Sequence, residues 1–170
     1  MNLEKTLNIL LFPGITIHEL AHITACILLG VKIKKTKIFG INGGYVVYNK
    51  TNTFKSIIIS FFPFIFNILI SIACVFLIKQ NYLTIFKIIF IWIGVSALYS
   101  SVPSIQDSKI VFEAIKNSYS GNGMLKWIIN LLFLPLTIIV LILAFIFKNL
   151  DQSFIFRIIL ICGWIIIYFL

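Results

Sequence analysis

His18-Glu19-Leu20-Ala21-His22 lies inside the apolar stretch PGITIHELAHITACILLG, Pro13 to Gly30. On a helix, positions i and i+4 stand one turn apart on the same face. Two imidazoles so placed reach one zinc ion. Glu19, rotated about 100° from His18, lies beside the metal, where it can take a proton from water. Zinc lowers the pKa of bound water to about 7, so the chemistry these residues suit is hydrolysis with Glu19 as general base. A charge buried in lipid costs about 2.5–3.5 kcal/mol even on insertion scales. The chain has two histidines and five acidic residues, and both histidines and one acid fall within these five positions. That concentration favours a metal site over a polar trio packed between helices.

A catalytic zinc wants a third protein ligand, with the fourth position left to water. The remaining acids are Glu4, Asp107, Glu113 and Asp151. Glu4 stands at the outer end of the first apolar segment, and Asp151 in a loop on that same side. Asp107 follows the third segment in LYSSVPSIQDS, whose Tyr, Ser and Gln suit a wet cavity and whose Pro103 breaks the helix. His22 lies about 10 Å in from the end of its helix, a depth Asp107 can meet by turning inward. Glu113 lies farther out, on a solvated helix face. Asp107 is the expected third ligand, with helix capping as its alternative role. Cys26, one turn beyond His22, is the fallback ligand.

The elements that position these residues are apolar and long. The 170 residues are 61% hydrophobic and 11% charged, far from the quarter charged that soluble domains carry. Five apolar segments are expected as membrane helices: Leu7–Leu29, Ser56–Ile78, Leu83–Val102, Met124–Phe147 and Phe154–Leu170. Pro63 and Pro135 fall inside two of them and are expected to kink them. The fold class is an all-α integral membrane protein, one domain over residues 1–170, with a small β-hairpin after the first helix. That hairpin is read from VKIKKTKIF and YVVY around a Gly/Asn-rich turn, Val31–Phe39 with Tyr45–Tyr48. Lys109–Asn117 reads as a short interfacial helix, and Asn117–Gly123 as a loop.

The net charge of +9 does not point to nucleic acid, because the lysines sit in loops between apolar runs. Loops one and three hold nine basic residues against five elsewhere. This places those loops in the cytoplasm, the amino terminus outside, and the site toward the cytoplasm of a multi-pass cell-membrane protein. Cys26, Cys74 and Cys162 lie in apolar runs without a C-x-x-C spacing and read as small buried hydrophobes, not disulfides. ITAC, Ile23–Cys26, mimics a lipoprotein cleavage box, but His18, Glu19 and His22 interrupt the apolar run that a signal peptide needs.

HELAH in the first segment, then LLGVKIKKTKIFG, then GGYVVY resembles the site-2 protease family of intramembrane zinc metallopeptidases. The likeness covers Phe12–Tyr48, extends loosely over Ser60–Cys74, where FFPFIFN offers Pro63 and Asn67, and more weakly over Ser101–Ser108. It resembles a short, divergent branch. The resemblance implies one zinc per chain and hydrolysis of peptide bonds in a locally unwound, membrane-spanning substrate. It implies that the hairpin can take a substrate segment as an added strand. It offers Asn67 as a donor to the tetrahedral oxyanion or another substrate contact, a helix-packing asparagine being the alternative. Two other functions remain: a non-proteolytic, chaperone-like zinc-binding relative, and a metal or proton transporter.

Overall fold

A computed structural model describes residues 3–40, 43–80, 82–119, 134–151 and 154–169. In chain order the elements are α1 (Leu3–Leu10), α2 (Phe12–Leu28), β1 (Ile33–Lys37), β2 (Tyr45–Tyr48), α3 (Thr53–Ile78), α4 (Thr84–Tyr99), α5 (Ile105–Tyr119), α6 (Leu134–Asp151) and α7 (Phe154–Phe169). The expected helical fold with one small hairpin is what forms. Residues 120–133, which include most of the expected loop at 117–123 and the start of the fourth apolar segment, lie outside the described residues, as do Ile41 and Asn42 of the hairpin turn.

The first apolar segment is two helices, not one. Pro13 stands in the first turn of α2. It needs no hydrogen-bonded N–H there, and its ring would crowd the carbonyl of Ile9 in a continuous helix. The break falls at Leu11. The other end of α2 closes with a glycine. Gly30 has φ +63°, the Gly30 N–H donates to the Ile27 carbonyl at 3.1 Å, and the Val31 N–H donates to that of Cys26 at 2.8 Å. This is the paired Schellman pattern, with the apolar contact of Val31 on Ala25 and Cys26 that accompanies it. It reverses the chain. The hairpin then runs back along α2, so that Phe39 meets Phe12 edge-on at 5.5 Å between centroids. β1 and β2 pair antiparallel, Ile33 with Tyr48 and Lys37 with Tyr45, with a register irregularity between Ile33 and Lys35.

α3 is the axis of the molecule. Asn52 caps it, accepting the Lys55 N–H at 2.8 Å, and the helix continues through Pro63 for 26 residues. α4 returns antiparallel beside it. Asn67 bonds to Ser100 near one end, and Cys74 approaches Gly94 toward the other. α5 begins one turn earlier than the expected Lys109, because Ser104 and Asp107 cap it reciprocally. It packs on the first turns of α3, where the Thr53 hydroxyl donates to the Ala114 carbonyl at 3.0 Å.

The last two helices cover α5 and α4. α6 packs chiefly on α5, where Ala144 clusters with Val111 and Ile115, and reaches the first half of α3 through Ile57 and through Phe147, whose ring lies tilted against those of Phe61 and Phe64 at 5.6 and 4.8 Å. α7 meets the second half: Trp164 packs with Val75 and Ile78 and donates to the Ser71 carbonyl. α7 packs along α4 in the opposite direction, Arg157 over Tyr99 and Trp164 at Gly94, so that both last helices run in the sense of α3, one after the other. Pro135 lies in the first turn of α6 rather than inside it. Among the described residues only α3 is long and apolar enough by itself to cross a membrane, and α2 and α4 are shorter apolar helices. Cys26 and Cys74 are buried as expected. Cys162 is exposed, contrary to expectation, and all three thiols are free.

Candidate metal centre

The site forms where α2, α4, α5 and the hairpin converge on α3. His18, Glu19 and His22 face inward from α2, with Gly14, Ala21, Ala25 and Cys26 buried on the same helix. Asp107 comes from the first turn of α5. His18, His22 and Asp107 are all buried, and one potential ligand atom from each lies within 4.8 Å of the others. Nε2 of His22 is 3.3 Å from Asp107 Oδ1, and Nε2 of His18 is 3.7 Å from Oδ2.

Backbone carbonyls fix the two rings. His18 Nδ1–H donates to the Ser100 carbonyl at 2.7 Å, and His22 Nδ1–H donates to the Ile59 carbonyl at 2.9 Å. A neutral imidazole that spends its one proton at Nδ1 keeps a lone pair at Nε2. Two such lone pairs and a carboxylate then face one another with no proton between them, an arrangement that a divalent cation satisfies. Histidine ligands of metals commonly donate their other ring nitrogen in this way. The donor set of two histidines and one aspartate fits zinc with an open position.

Glu19 points into the same cavity, which has a volume of about 300 Å³ and is also lined by Gly44–Tyr48, Ser104, Gln106 and Ile110. Its Oε2 is buried with no hydrogen-bond partner among the described residues. Gly44 is what lets the hairpin approach: a Cβ there would collide with Glu19 Cγ and crowd the Lys37 carbonyl. The Tyr48 hydroxyl is buried with no hydrogen-bond partner among the described residues, and burial pushes its pKa up to about 12. β1 is the outer strand, with Lys34, Lys35 and Lys37 exposed, while β2 lines the cavity.

Of the residues singled out in the sequence, the structure brings His18, Glu19, His22 and Asp107 together. Asp107 also caps α5, its foreseen alternative role, while its carboxylate faces the two histidines. Glu113 is exposed on α5. Cys26 packs with Ala25, Val31 and Ile59 in the apolar cluster beside the site. Asn67 has 0% exposure and does not line the cavity; its Nδ2 donates to the Ser100 carbonyl at 2.9 Å. The carbonyls of Ile59 and Ser100 carry no side-chain signature. For Ile59 the signal stands four residues on, in Pro63, which leaves that carbonyl without a helical donor.

An inward HELAH helix, an aspartate across from it and a hairpin over the cavity are the parts that a membrane metallopeptidase would need. The model of the family described as Peptidase M50B-like matches residues 4–115, and the chain belongs to that family, whose members are metallopeptidases of the site-2 protease type. The matched span includes all four converging residues and ends within α5. No curated protein and no solved structure matches the chain.

Proposed function

We propose that this protein is an intramembrane zinc endopeptidase. The observation that carries the reading is the meeting of His18 Nε2, His22 Nε2 and the Asp107 carboxylate beside an unpartnered Glu19 carboxylate oxygen. His18, His22 and Asp107 would hold one zinc per chain. When bound, zinc supplies Lewis-acid polarisation and makes water a nucleophile at neutral pH. Glu19 takes the proton of the attacking water and returns it to the leaving amine as the peptide bond breaks. Burial of the cavity walls keeps bulk water from competing for these contacts.

The substrate is an extended segment of a membrane-spanning protein. It adds to the cavity edge of β2, whose backbone offers a strand partner, while the lysines of β1 guard the outer edge. Large apolar side chains stand exposed on α3 (Ile65, Leu69, Phe76), α6 (Ile139, Phe145) and α7 (Ile159, Ile166), a surface suited to lipid rather than water. α1 with α2, α3, and α4 make three crossings, with the amino terminus outside and the site toward the cytoplasm. α6 and α7 together make a fourth.

The test is Glu19→Gln in detergent-purified protein, with metal content and cleavage of membrane-spanning peptides measured on one preparation. Zinc retained with cleavage lost supports the proposal. Cleavage equal to wild type overturns it.

A further inference from the structure

α3 carries a proline and an asparagine one helical turn apart, Pro63 and Asn67. Both are fully buried and neither lines the cavity. Proline has no backbone N–H, and its ring crowds the carbonyl four residues back. Here that carbonyl belongs to Ile59, and it accepts His22 Nδ1–H at 2.9 Å. Any other residue at position 63 would bring an N–H aimed at the same oxygen, since that is the helical i to i−4 bond. One turn on, Asn67 Nδ2 donates at 2.9 Å to the Ser100 carbonyl. That oxygen also accepts His18 Nδ1–H at 2.7 Å. Ser100 caps the end of α4, where helix carbonyls lack an intrahelical donor. Its two lone pairs serve two donors, one from α2 and one from α3.

We propose that Pro63 and Asn67 are positioning residues: α3 decides which nitrogen of each histidine keeps its proton, and so turns both Nε2 atoms toward Asp107. Pro63 does this for His22 by leaving the Ile59 carbonyl open. Asn67 does it for His18 by pinning the Ser100 carbonyl in place. The inference rests on the reading that these histidines and Asp107 hold a metal. It gives Asn67 a role different from oxyanion donor, because its amide is committed to Ser100 and the residue is shut off from the cavity.

The experiment uses Pro63→Ala and Asn67→Leu in the full-length, detergent-purified protein. Zinc affinity is read by competition with a chromogenic chelator, ligand geometry by the visible spectrum of the cobalt-loaded protein, and folding by the melting temperature of the metal-free form. A helix interior favours alanine over proline, and leucine removes Asn67 Oδ1, which is buried with no partner among the described residues. Merely structural roles therefore predict zinc affinity and cobalt bands like wild type. The expected result is a loss of zinc affinity of about tenfold to a hundredfold in each variant, with shifted cobalt bands and a preserved metal-free melting temperature. Wild-type affinity and spectrum in both folded variants overturn the inference, and so does loss of cleavage with metal binding intact, which would return Asn67 to the oxyanion. If either variant does not fold, Pro63→Val and Asn67→Asp are measured in the same way: the first restores an N–H, the second removes the donor at equal volume. Wild-type protein that binds no zinc overturns this inference together with the proposed function. Wild-type binding with unaffected variants overturns this inference alone.

Discussion

Asp107 and Ser104 hold each other. The Ser104 N–H and hydroxyl donate to Asp107 Oδ2 at 2.9 and 2.7 Å, and the Asp107 N–H donates back to the Ser104 hydroxyl at 3.2 Å. The pair starts α5 as a capping box and aims the carboxylate at both histidines. Loss of the cap by Ser104→Ala is expected to destabilise the fold by about 1 kcal/mol. It should also weaken zinc binding by about tenfold, the lower end of an outer-shell change. Asp107→Ala removes a ligand atom and should weaken binding well beyond about a hundredfold. Glu113→Gln, on the exposed face of the same helix, should leave it unchanged. Chelator competition on the three purified variants checks the order, and equal affinities for Asp107→Ala and wild type would remove Asp107 from the ligand set.

Bound zinc should stabilise the fold in proportion to its free concentration. At one hundred times the dissociation constant the gain is about 2.7 kcal/mol, read as a rise in melting temperature that a chelator reverses. Protons compete with the metal for both Nε2 atoms and the carboxylate, so this zinc-dependent rise should shrink as pH falls. His18→Ala and His22→Ala should melt at a temperature indifferent to zinc. A zinc-dependent rise that persists in both histidine variants would place the ion elsewhere.

Gly44 separates binding from turnover. A Cβ at this position collides with Glu19 Cγ, so Gly44→Ala must displace either the start of β2 or Glu19. A displacement of about 1 Å can cost on the order of a hundredfold in rate, while the histidines and Asp107 are untouched. The expected variant holds zinc as wild type does and cleaves membrane-spanning peptides far more slowly. Parallel loss of zinc and activity would show that the hairpin supports the ligands instead.

The parts of this site legible in the sequence are those with local rules. HELAH states its own geometry, because i and i+4 share a helix face whatever the rest of the fold does. Asp107 is reachable by elimination, since so few acids remain. The orientation of the rings is not legible in the same way, because it depends on two backbone carbonyls from other helices. Pro63 does announce one of them, but a proline inside an apolar run reads first as a kink. Pro13 likewise looks like the opening of a helix, while its crowding of the preceding turn is what separates α1 from α2. Asn67 has a family-like setting that suggests a catalytic amide, and only the fold shows the amide engaged with Ser100. The sense of α6 and α7 has no sequence signature at all: it is set by Phe147 reaching Phe61 and Phe64, and Trp164 reaching Ser71.

That sense makes a topological prediction. Two apolar segments joined by a short link ordinarily cross and return, which would give five crossings and put the two chain ends on opposite sides. Here α6 packs on α5 and reaches the first half of α3 through Phe147, and α7 packs on α4 and reaches the second half through Trp164. The Arg157 guanidinium lies over the Tyr99 ring at 4.6 Å, next to the carbonyl of Ser100 that holds His18. Near its start, then, α7 stands at the level of the site, and it moves away from the site toward Trp164. Paired this way, α6 and α7 make one broken crossing and bring both chain ends to the same side. A topology reporter fused before Met1 and one fused after Leu170 are therefore expected to give the same signal, that of the non-cytoplasmic side. Opposite signals would mean that α6 and α7 cross separately and that the packing of Trp164 on α3 does not persist in the membrane.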